Sequence, residues 1–403
     1  MTETRVLISG AGVAGPALAL GLRRRGFAVT VVERAAELRT AGYKVDIRGA
    51  GVEALKRLGL YERARALDVG MRRITYVRKN GRPLATMPAD LLMGRRGDDI
   101  EVMRGDLGVL LHAASADDVE YVFGDSVTGL ADGPDGVDVT FEHGAPRRFD
   151  YVVGADGLHS VTRRLSGLQS GLGRRVGRLD GFGEVEPTHL GAYISIFSVP
   201  NHLGLDREEL MFFRPGRLVF AYAMGPDQPA LVGLTFASPP LGRPDDAKAL
   251  VHAKFAGLGW ATDRFLAGLD AADDFYFDSL SQIELPRWSS GRVVLLGDAA
   301  HCLAPSSGQG TSLALVGAYV LAEELHGKDH EAAFAAYESR MRPYVAKNLD
   351  FGRKMVKDMV PGGRAMIAFR NYGMRTLKYH PRTEQVIEKV LAPLREAATA
   401  IAI

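Results

Sequence analysis

The chain has 403 residues, 46% hydrophobic and 24% charged, with a formal net charge of +2. That length allows two or three packed domains, and so small a charge gives no electrostatic footprint for nucleic acid. The single cysteine, Cys302, excludes an internal disulfide and a cysteine-based zinc site. No apolar run approaches the ~20 residues of a membrane span, and the first strand comes too early for a signal peptide, so a cytoplasmic protein is expected. Arginines cluster at Arg23-Arg24-Arg25, Arg95-Arg96, Arg147-Arg148, Arg163-Arg164 and Arg174-Arg175. Charged side chains are seldom buried, so these read as solvated surface, Arg163 excepted.

In chain order, Val6 to Ser9 reads as a buried strand, and Gly10-Ala11-Gly12-Val13-Ala14-Gly15 as the turn into a helix carrying Leu18, Leu20 and Leu22. Pro16 suits that helix's first turn, and Gly26 ends it. Ala28 to Val32 completes a right-handed βαβ unit. A helix from Gly51 to Leu58 follows, then a hairpin of Ile74 to Val77 and Pro83 to Met87 about Asn80-Gly81. Asp106 to Ala114 reads as helix and Val119 to Phe123 as strand. Val137 to Phe141 and Arg148 to Val153 read as strands flanking His143-Gly144-Ala145-Pro146.

From Gly181 to Leu285 the pattern changes. Tyr193 to Val199, Glu209 to Phe213, Arg217 to Ala223 and Leu231 to Phe236 are strand-like and separated by glycine and proline, which predicts an antiparallel sheet in a separate layer. Leu313, Val316, Val320, Leu321 and Leu325 keep helical spacing up to Gly327, and 331–403 is mostly helical, with breaks expected at Pro343 and at Pro361-Gly362-Gly363. The expected fold is α/β: a discontinuous Rossmann-like nucleotide-binding domain (1–75, 100–180 and 285–330), an inserted antiparallel-sheet substrate domain (76–99 and 181–284) and a C-terminal helical region (331–403).

Three glycine-acid motifs each follow a buried strand. In the first, Gly10 permits the tight turn, Gly12 lets a pyrophosphate approach, and Gly15 lets helix pack on strand, with Ala14 inside the turn. Glu33 ends the second strand 18 positions after Gly15, where an acid meets ribose hydroxyls; Arg34 adjoins it. The second motif is Gly154-Ala155-Asp156-Gly157. The third is Gly297-Asp298-Ala299-Ala300-His301, leading through Pro305 to Gly308-Gln309-Gly310. Three such motifs in this order point to one long dinucleotide across one sheet, namely non-covalent FAD. Asp298 is placed to accept from a ribityl hydroxyl. Gly308 and Gly310 keep their loop thin, and the helix starting near Thr311 aims its positive end at the flavin ring.

The second motif with Ser160 and Arg163-Arg164, the third with its glycine loop, and Arg104 in Arg104-Gly105-Asp106-Leu107 together resemble the class A flavin-dependent monooxygenases. These single-component aromatic hydroxylases have a para-hydroxybenzoate hydroxylase-like fold and include polyketide-tailoring and tetracycline-inactivating members. The resemblance spans roughly residues 1 to 330. It implies that Arg104 lies near the flavin, that Asp156 and Arg163 help organise nucleotide binding, and that Arg163 is the candidate contact for NADPH or NADH. It implies hydride transfer to FAD, a C4a-hydroperoxyflavin formed with O2, and hydroxylation of a phenolic, polycyclic or polyketide-like small molecule. The flavin carries this chemistry, so no side chain is assigned as catalytic.

Two stations depart from that pattern: Ser312 stands where many relatives have asparagine, and Val316-Gly317 where they have an acidic pair. Trp260 and Trp288 are far apart and form no halogenase motif. Arg48 is a candidate flavin- or substrate-facing residue. Arg214, Phe213, Phe220 and Tyr222 are candidate substrate contacts; together with Tyr193 and Phe236 these aromatics lie on strands that can form a pocket roof, and most of them are expected to be core. His301-Cys302 reads as structural rather than as a catalytic pair. His326 and His330, at helical i,i+4 spacing, lack a third ligand, so no metal is expected. The competing functions are a flavin reductase or dehydrogenase that never oxygenates, and a ligand-sequestering flavoprotein. An aromatic substrate and O2 are the expected partners, without nucleic acid or membrane, for a monomer or homodimer.

Overall fold

The computed structural model describes residues 3–167, 186–242, 244–377 and 379–403. Arg174-Arg175 and the proposed domain boundary at 180/181 lie outside the described residues. The first βαβ unit forms as the pattern requires. Strand Arg5–Ser9 pairs in parallel with Ala28–Glu33 on one side and Tyr151–Gly154 on the other. Val293–Leu295 extends the sheet beyond Tyr151–Gly154, and Glu120–Phe123 beyond Ala28–Glu33. Ser289–Ser290 closes this six-stranded sheet as an antiparallel edge. All three motifs therefore leave the same ends of adjacent parallel strands, where ligands of open α/β sheets bind.

Helix Ala14–Arg23 packs on helix Gly310–Leu325, which is buried on almost every side. Such a helix is apolar all round because no face meets water. Close approach rests on small residues: a Cβ at Gly21 would sit 2.9 Å from the Ala322 Cβ, and one at Gly51 2.7 Å from the Ser312 Cβ.

A seven-stranded sheet forms the second layer, in the spatial order Tyr276–Gln282, Thr188–Val199, Ala230–Ala237, Arg217–Ala223, Glu208–Arg214, Arg73–Val77 and Pro83–Pro88. It is antiparallel except where Glu208–Arg214 meets Arg73–Val77 in parallel, so the early hairpin completes the later sheet. One face buries Phe212, Val219, Val232, Leu234 and Phe236 under helices Ala247–Phe255 and Thr262–Leu269. The other face turns toward the nucleotide-binding layer. A two-stranded ribbon, Lys44–Ile47 with Ile100–Met103, runs between the layers.

Two expectations are corrected. The single strand expected from Arg148 to Val153 is two strands, Arg147–Phe149 and Tyr151–Gly154, in different sheets. The chain turns between them at Asp150, whose N–H donates to the Arg5 carbonyl (2.9 Å) and whose carboxylate accepts from the Arg5 N–H (2.7 Å). Pro343 does not interrupt its helix, which runs unbroken over His330–Met359. An internal proline costs about 3 kcal/mol or more, but each buried large side chain returns roughly 1.5–3 kcal/mol. Tyr337, Met341, Tyr344 and Leu349 bracket Pro343 on the buried face, while Ser339, whose carbonyl the proline leaves free, is exposed to water.

Candidate active site

The first glycine turn divides its tasks among three positions. Gly10 has φ +112°, and a Cβ there would come within 2.5 Å of the Ala155 carbonyl oxygen, so the first and second motifs pack backbone to backbone. A Cβ at Gly15 would overlap the Gly10 carbonyl oxygen. At Gly12 the nearest atom is the Arg104 Nη2, 3.8 Å away, and the space beyond is open. Ala14 is buried beside Gly297. Helix Ala14–Arg23 has neither a side-chain cap nor an acid in its first turn, which leaves its N–H groups available to an anion. Glu33 accepts from the Ala11 N–H (2.9 Å) and the Ala35 N–H (3.0 Å), which fixes its carboxylate at the mouth of the turn. Arg34 is exposed.

The second motif is a brace. Asp156 accepts from the Thr162 N–H (2.9 Å), the Thr162 hydroxyl (3.0 Å) and the Ser160 hydroxyl, and so caps the helix Val161–Gly167. Arg163 is buried and donates to the carbonyls of Ala299 (2.8 Å) and Leu158 (2.6 Å), clasping the second motif to the third. Burial lowers its pKa, with Asp156 opposing that shift.

In the third motif Gly297 adopts φ 62°, ψ −139°, and Asp298 opens a one-turn helix. Asp298 is exposed to solvent, yet enough protein surrounds its carboxyl that desolvation pushes its pKa up, opposed by the Arg104 charge. Exposure and desolvation coincide at the floor of a narrow open trough. Farther along, a Cβ at Gly308 or at Gly310 would meet nothing nearer than 4.0 Å. The helix Gly310–Leu325, which Thr311 enters in its first turn, likewise begins with no side-chain cap and no first-turn acid. Gln309 is buried, and both polar atoms of its amide lack a partner among the described residues. Pro305 opens the short 3₁₀ turn that leads into this loop.

Across the trough stand residues that the sequence reading missed. The Tyr43 and Tyr276 rings lie 6.2 Å apart and tilted by 47°; surrounding protein desolvates both phenols and raises their pKa, although one side of Tyr276 stays open to solvent. Arg104 opens its helix with its backbone N–H on the Tyr43 carbonyl (3.0 Å), and its half-buried guanidinium has no carboxylate or carbonyl partner among the described residues. The two tyrosines are far apart in sequence and belong to no motif. Only the register of the edge strand Tyr276–Gln282 brings them together.

Arg48 and Arg95 are not surface residues. Arg48 pairs with Asp46 (2.8 Å) and donates to the Met93 carbonyl (2.6 Å), while Arg95 pairs with Glu101 (2.8 Å) and Asp90 (2.9 Å). Lys44 joins Glu101 (2.7 Å) to Glu209 (2.9 Å) of the seven-stranded sheet. Burial alone would lower the Lys44 ammonium, but Glu209 and Glu101 hold it above its ordinary value. Burial is also opposed at Asp46, whose pKa Arg48 and Arg95 pull down.

Strand register sorts the aromatic candidates. Phe213, Phe220 and Tyr222 alternate onto the sheet face that looks toward the trough, whereas Tyr193 and Phe236 lie in the opposite core. Phe213 rests against Tyr76 with centroids 5.1 Å apart, and Phe220 is half-buried. Tyr222 is buried, with its hydroxyl accepting from the Lys44 N–H (3.0 Å). Arg214 alternates onto the face of Phe212, away from Phe213.

The departures have packing causes. Ser312 is buried against Gly51, and its hydroxyl accepts from the Arg48 N–H (3.2 Å), so asparagine would not fit there. A Cβ at Gly317 would lie 2.9 Å from a Leu296 methyl. The His326 and His330 spacing does not lie on one helix: His326 follows Gly310–Leu325, Gly327 turns the chain at φ 75°, and His330 opens the next helix against Tyr151. His301 packs on Trp288 (4.8 Å), whereas the Cys302 thiol contacts the Ser281 carbonyl (3.8 Å), so the two point apart.

Three open glycine positions, two uncapped helix N-termini, an unpartnered guanidinium and an orphaned buried amide along one trough are the fittings of an anionic dinucleotide. The family model for an FAD binding domain matches residues 3–186 and 279–352. The chain belongs to this family of FAD-binding, flavin-dependent monooxygenases. A flavin-dependent monooxygenase from an unknown prokaryotic organism is 36% identical over 354 residues, covering 86% of this chain and 88% of the relative. An uncharacterized protein of Mycobacterium tuberculosis is 39% identical over 368 residues, 89% of this chain and 94% of that one. The crystal structure of tetracycline destructase Tet(55) superposes with a TM-score of 0.83 at 33% identity, covering 99% of this chain and 98% of that one. No helix among the described residues is long and apolar enough to cross a membrane.

Proposed function

We propose that this monooxygenase uses NADPH or NADH and O2 to hydroxylate a phenolic, polycyclic or polyketide-like small molecule. One observation carries the reading: an aromatic sheet face meets the flavin loop. Phe220, Leu231 and Tyr43 pack against one apolar cluster that also contains Ala304, the residue before Pro305. An apolar slot with few polar groups beside a redox cofactor suits an aromatic substrate. FAD, when bound, supplies the redox and oxygen-activating chemistry.

The chain's own residues bind, orient and exclude water. Gly10, Gly12, Ala14 and Gly15 with the uncapped helix behind them receive the pyrophosphate; Glu33 receives the ribose, with Arg34 beside it. Arg104 holds positive charge over this trough, and Asp298 accepts from the ribityl chain. Gly297 and Pro305 shape the loop. Gly308 and Gln309, whose N–H groups donate to the Pro305 carbonyl and the Ser307 hydroxyl, shape the loop, while Gly310 and Thr311 at the uncapped helix start present backbone N–H groups to the pyrimidine edge, where the helix dipole favours negative charge. Arg48, Asp156 and Arg163 act from behind as positioning residues; Arg163 serves the reductant by holding two loops in register. We assign 1–75, 100–180 and 285–330 to the FAD-binding part, 76–99 and 181–284 to the substrate part and 331–403 to a helical cover, with the first boundary moved ahead of Arg73 because the strand Arg73–Val77 lies whole in the seven-stranded sheet. Phe213 and Phe220 contribute to the substrate wall, with Tyr222 behind them; Arg214, expected as a substrate contact, lies on the opposite face of the sheet and is left out of the wall.

The test follows NADPH and NADH oxidation, O2 uptake and product mass over a panel of phenols and tetracyclines. Oxidation stimulated by one compound, with a product heavier by one oxygen atom, supports the proposal. Reductant turnover that ignores both compound and O2 refutes it.

A further inference from the structure

Phe220 and Gly233 are direct cross-strand partners in the middle of the seven-stranded sheet. A Cβ built at Gly233 would fall inside the Phe220 ring, against its Cζ, Cε1 and Cε2 atoms. The ring therefore lies flat across the neighbouring strand instead of standing off the sheet. Its orientation is shared by Tyr222, two residues on, whose ring plane differs by only 6° at a centroid distance of 6.3 Å. Tyr222 is held in turn by the Lys44 N–H on its hydroxyl, with the Lys44 ammonium 5.1 Å from its ring centroid. The sheet thus keeps a level aromatic surface at Phe220, half-open on the side of Tyr43 and the Ala304 loop.

From this geometry we infer that the Gly233–Phe220 pair gauges the depth of the substrate slot and selects flat, multi-ring ligands over single rings. The inference rests on the aromatic-substrate reading above. With no side chain at Gly233, the flat ring offers its face for offset stacking and leaves the space above it free. Any side chain at 233 must lift the ring into that space, the same space a fused-ring ligand needs. A single ring, with less area to stack, loses less when the slot becomes shallow.

The test uses FAD-loaded protein and two probes, tetracycline and 4-hydroxybenzoate, with dissociation constants read from flavin absorbance and fluorescence. Wild type is expected to favour tetracycline. Gly233→Ala is expected to weaken tetracycline at least tenfold while 4-hydroxybenzoate changes less than threefold. Gly233→Ala with Phe220→Ala, which removes both the obstructing ring and its stacking face, is expected to bind tetracycline no more weakly than Phe220→Ala alone, because Gly233 acts only through that ring. Phe220→Leu needs no displaced backbone, so it keeps the idea testable where Gly233→Ala folds poorly; it too should weaken tetracycline selectively. Equal weakening of both probes, or an unchanged ratio in Phe220→Leu, overturns the gauge and leaves the aromatic-substrate reading standing. A wild type that takes up FAD and binds neither probe overturns both.

Discussion

Gly12 and Gly15 belong to one short motif, yet their surroundings assign them opposite tasks. A methyl group at Gly15 would overlap the Gly10 carbonyl oxygen, so Gly15→Ala must push the helix away from the strand. A methyl group at Gly12 meets nothing closer than the Arg104 Nη2 at 3.8 Å, and Gly12 is not among the positive-φ glycines. Gly12→Ala therefore leaves the apoprotein as stable as wild type or firmer by about 0.4–1 kcal/mol, through the stiffer unfolded chain. Its methyl occupies the space a phosphate must enter, and one lost hydrogen bond to a charged group is worth about 1.5–3 kcal/mol. FAD affinity should accordingly fall by roughly 10- to 150-fold. Flavin fluorescence titration of apoprotein gives the affinity, and apoprotein thermal unfolding gives the stability. FAD binding by Gly12→Ala equal to wild type, or apoprotein unfolding as early as that of Gly15→Ala, would refute the division of tasks.

Asp298→Ala should release flavin on desalting, read from the absorbance near the flavin band, while His326→Ala should retain it; equal retention counts against the trough. Lys44→Met leaves Glu101 and Glu209 facing each other without their shared cation, so urea unfolding should show a loss of about 3–5 kcal/mol. A loss below about 1 kcal/mol would mean that the pair relaxes into water. His301 is buried, and burial lowers its pKa to about 4. As pH falls below the ordinary histidine value, the unfolded chain takes up a proton that the folded chain refuses, until the folded pKa is reached. Stability tied to this ring is intact at pH 7 and lost from about pH 6.5 to about pH 4, to a ceiling near 3 kcal/mol. His301→Phe should flatten the difference between urea unfolding at pH 7 and at pH 4.5; an unchanged difference assigns the acid lability elsewhere.

Parallel strands buried on both faces are continuous apolar runs, and Val6–Ser9, Tyr151–Val153 and Val293–Leu296 could be read as such without coordinates. The motifs following them are contiguous in sequence, so the cofactor side of the trough was legible too. Three kinds of feature were not. Asp150 ends one strand and begins another through a backbone exchange with Arg5, a long-range partner that no local pattern announces. Lys44, Asp46 and Arg95 look like solvated charges until their partners are known, because charge alone does not say which side is water. Tyr43 and Tyr276 meet through sheet register, and a one-residue slip would send Tyr276 to the other face.

The two sides of the slot thus answer to different physical constraints. On the proposed flavin side, backbone N–H groups and open glycines would do the recognising, so the residues required are few and fixed by hard-sphere contact: Gly10 against Ala155, Gly15 against Gly10, Gly297 beside Ala14. Arg163 and Asp156 hold those loops without needing to touch the ligand. On the sheet side the wall consists of side chains on alternate strand positions, and each can change while the hydrogen-bonded ladder stays intact. Gly233 couples the two kinds of constraint, because its missing side chain decides where the Phe220 ring lies. Substitutions at 220 and 233 should therefore alter ligand preference with little effect on FAD affinity, whereas substitutions at 10, 12 and 15 should alter FAD affinity for every ligand alike.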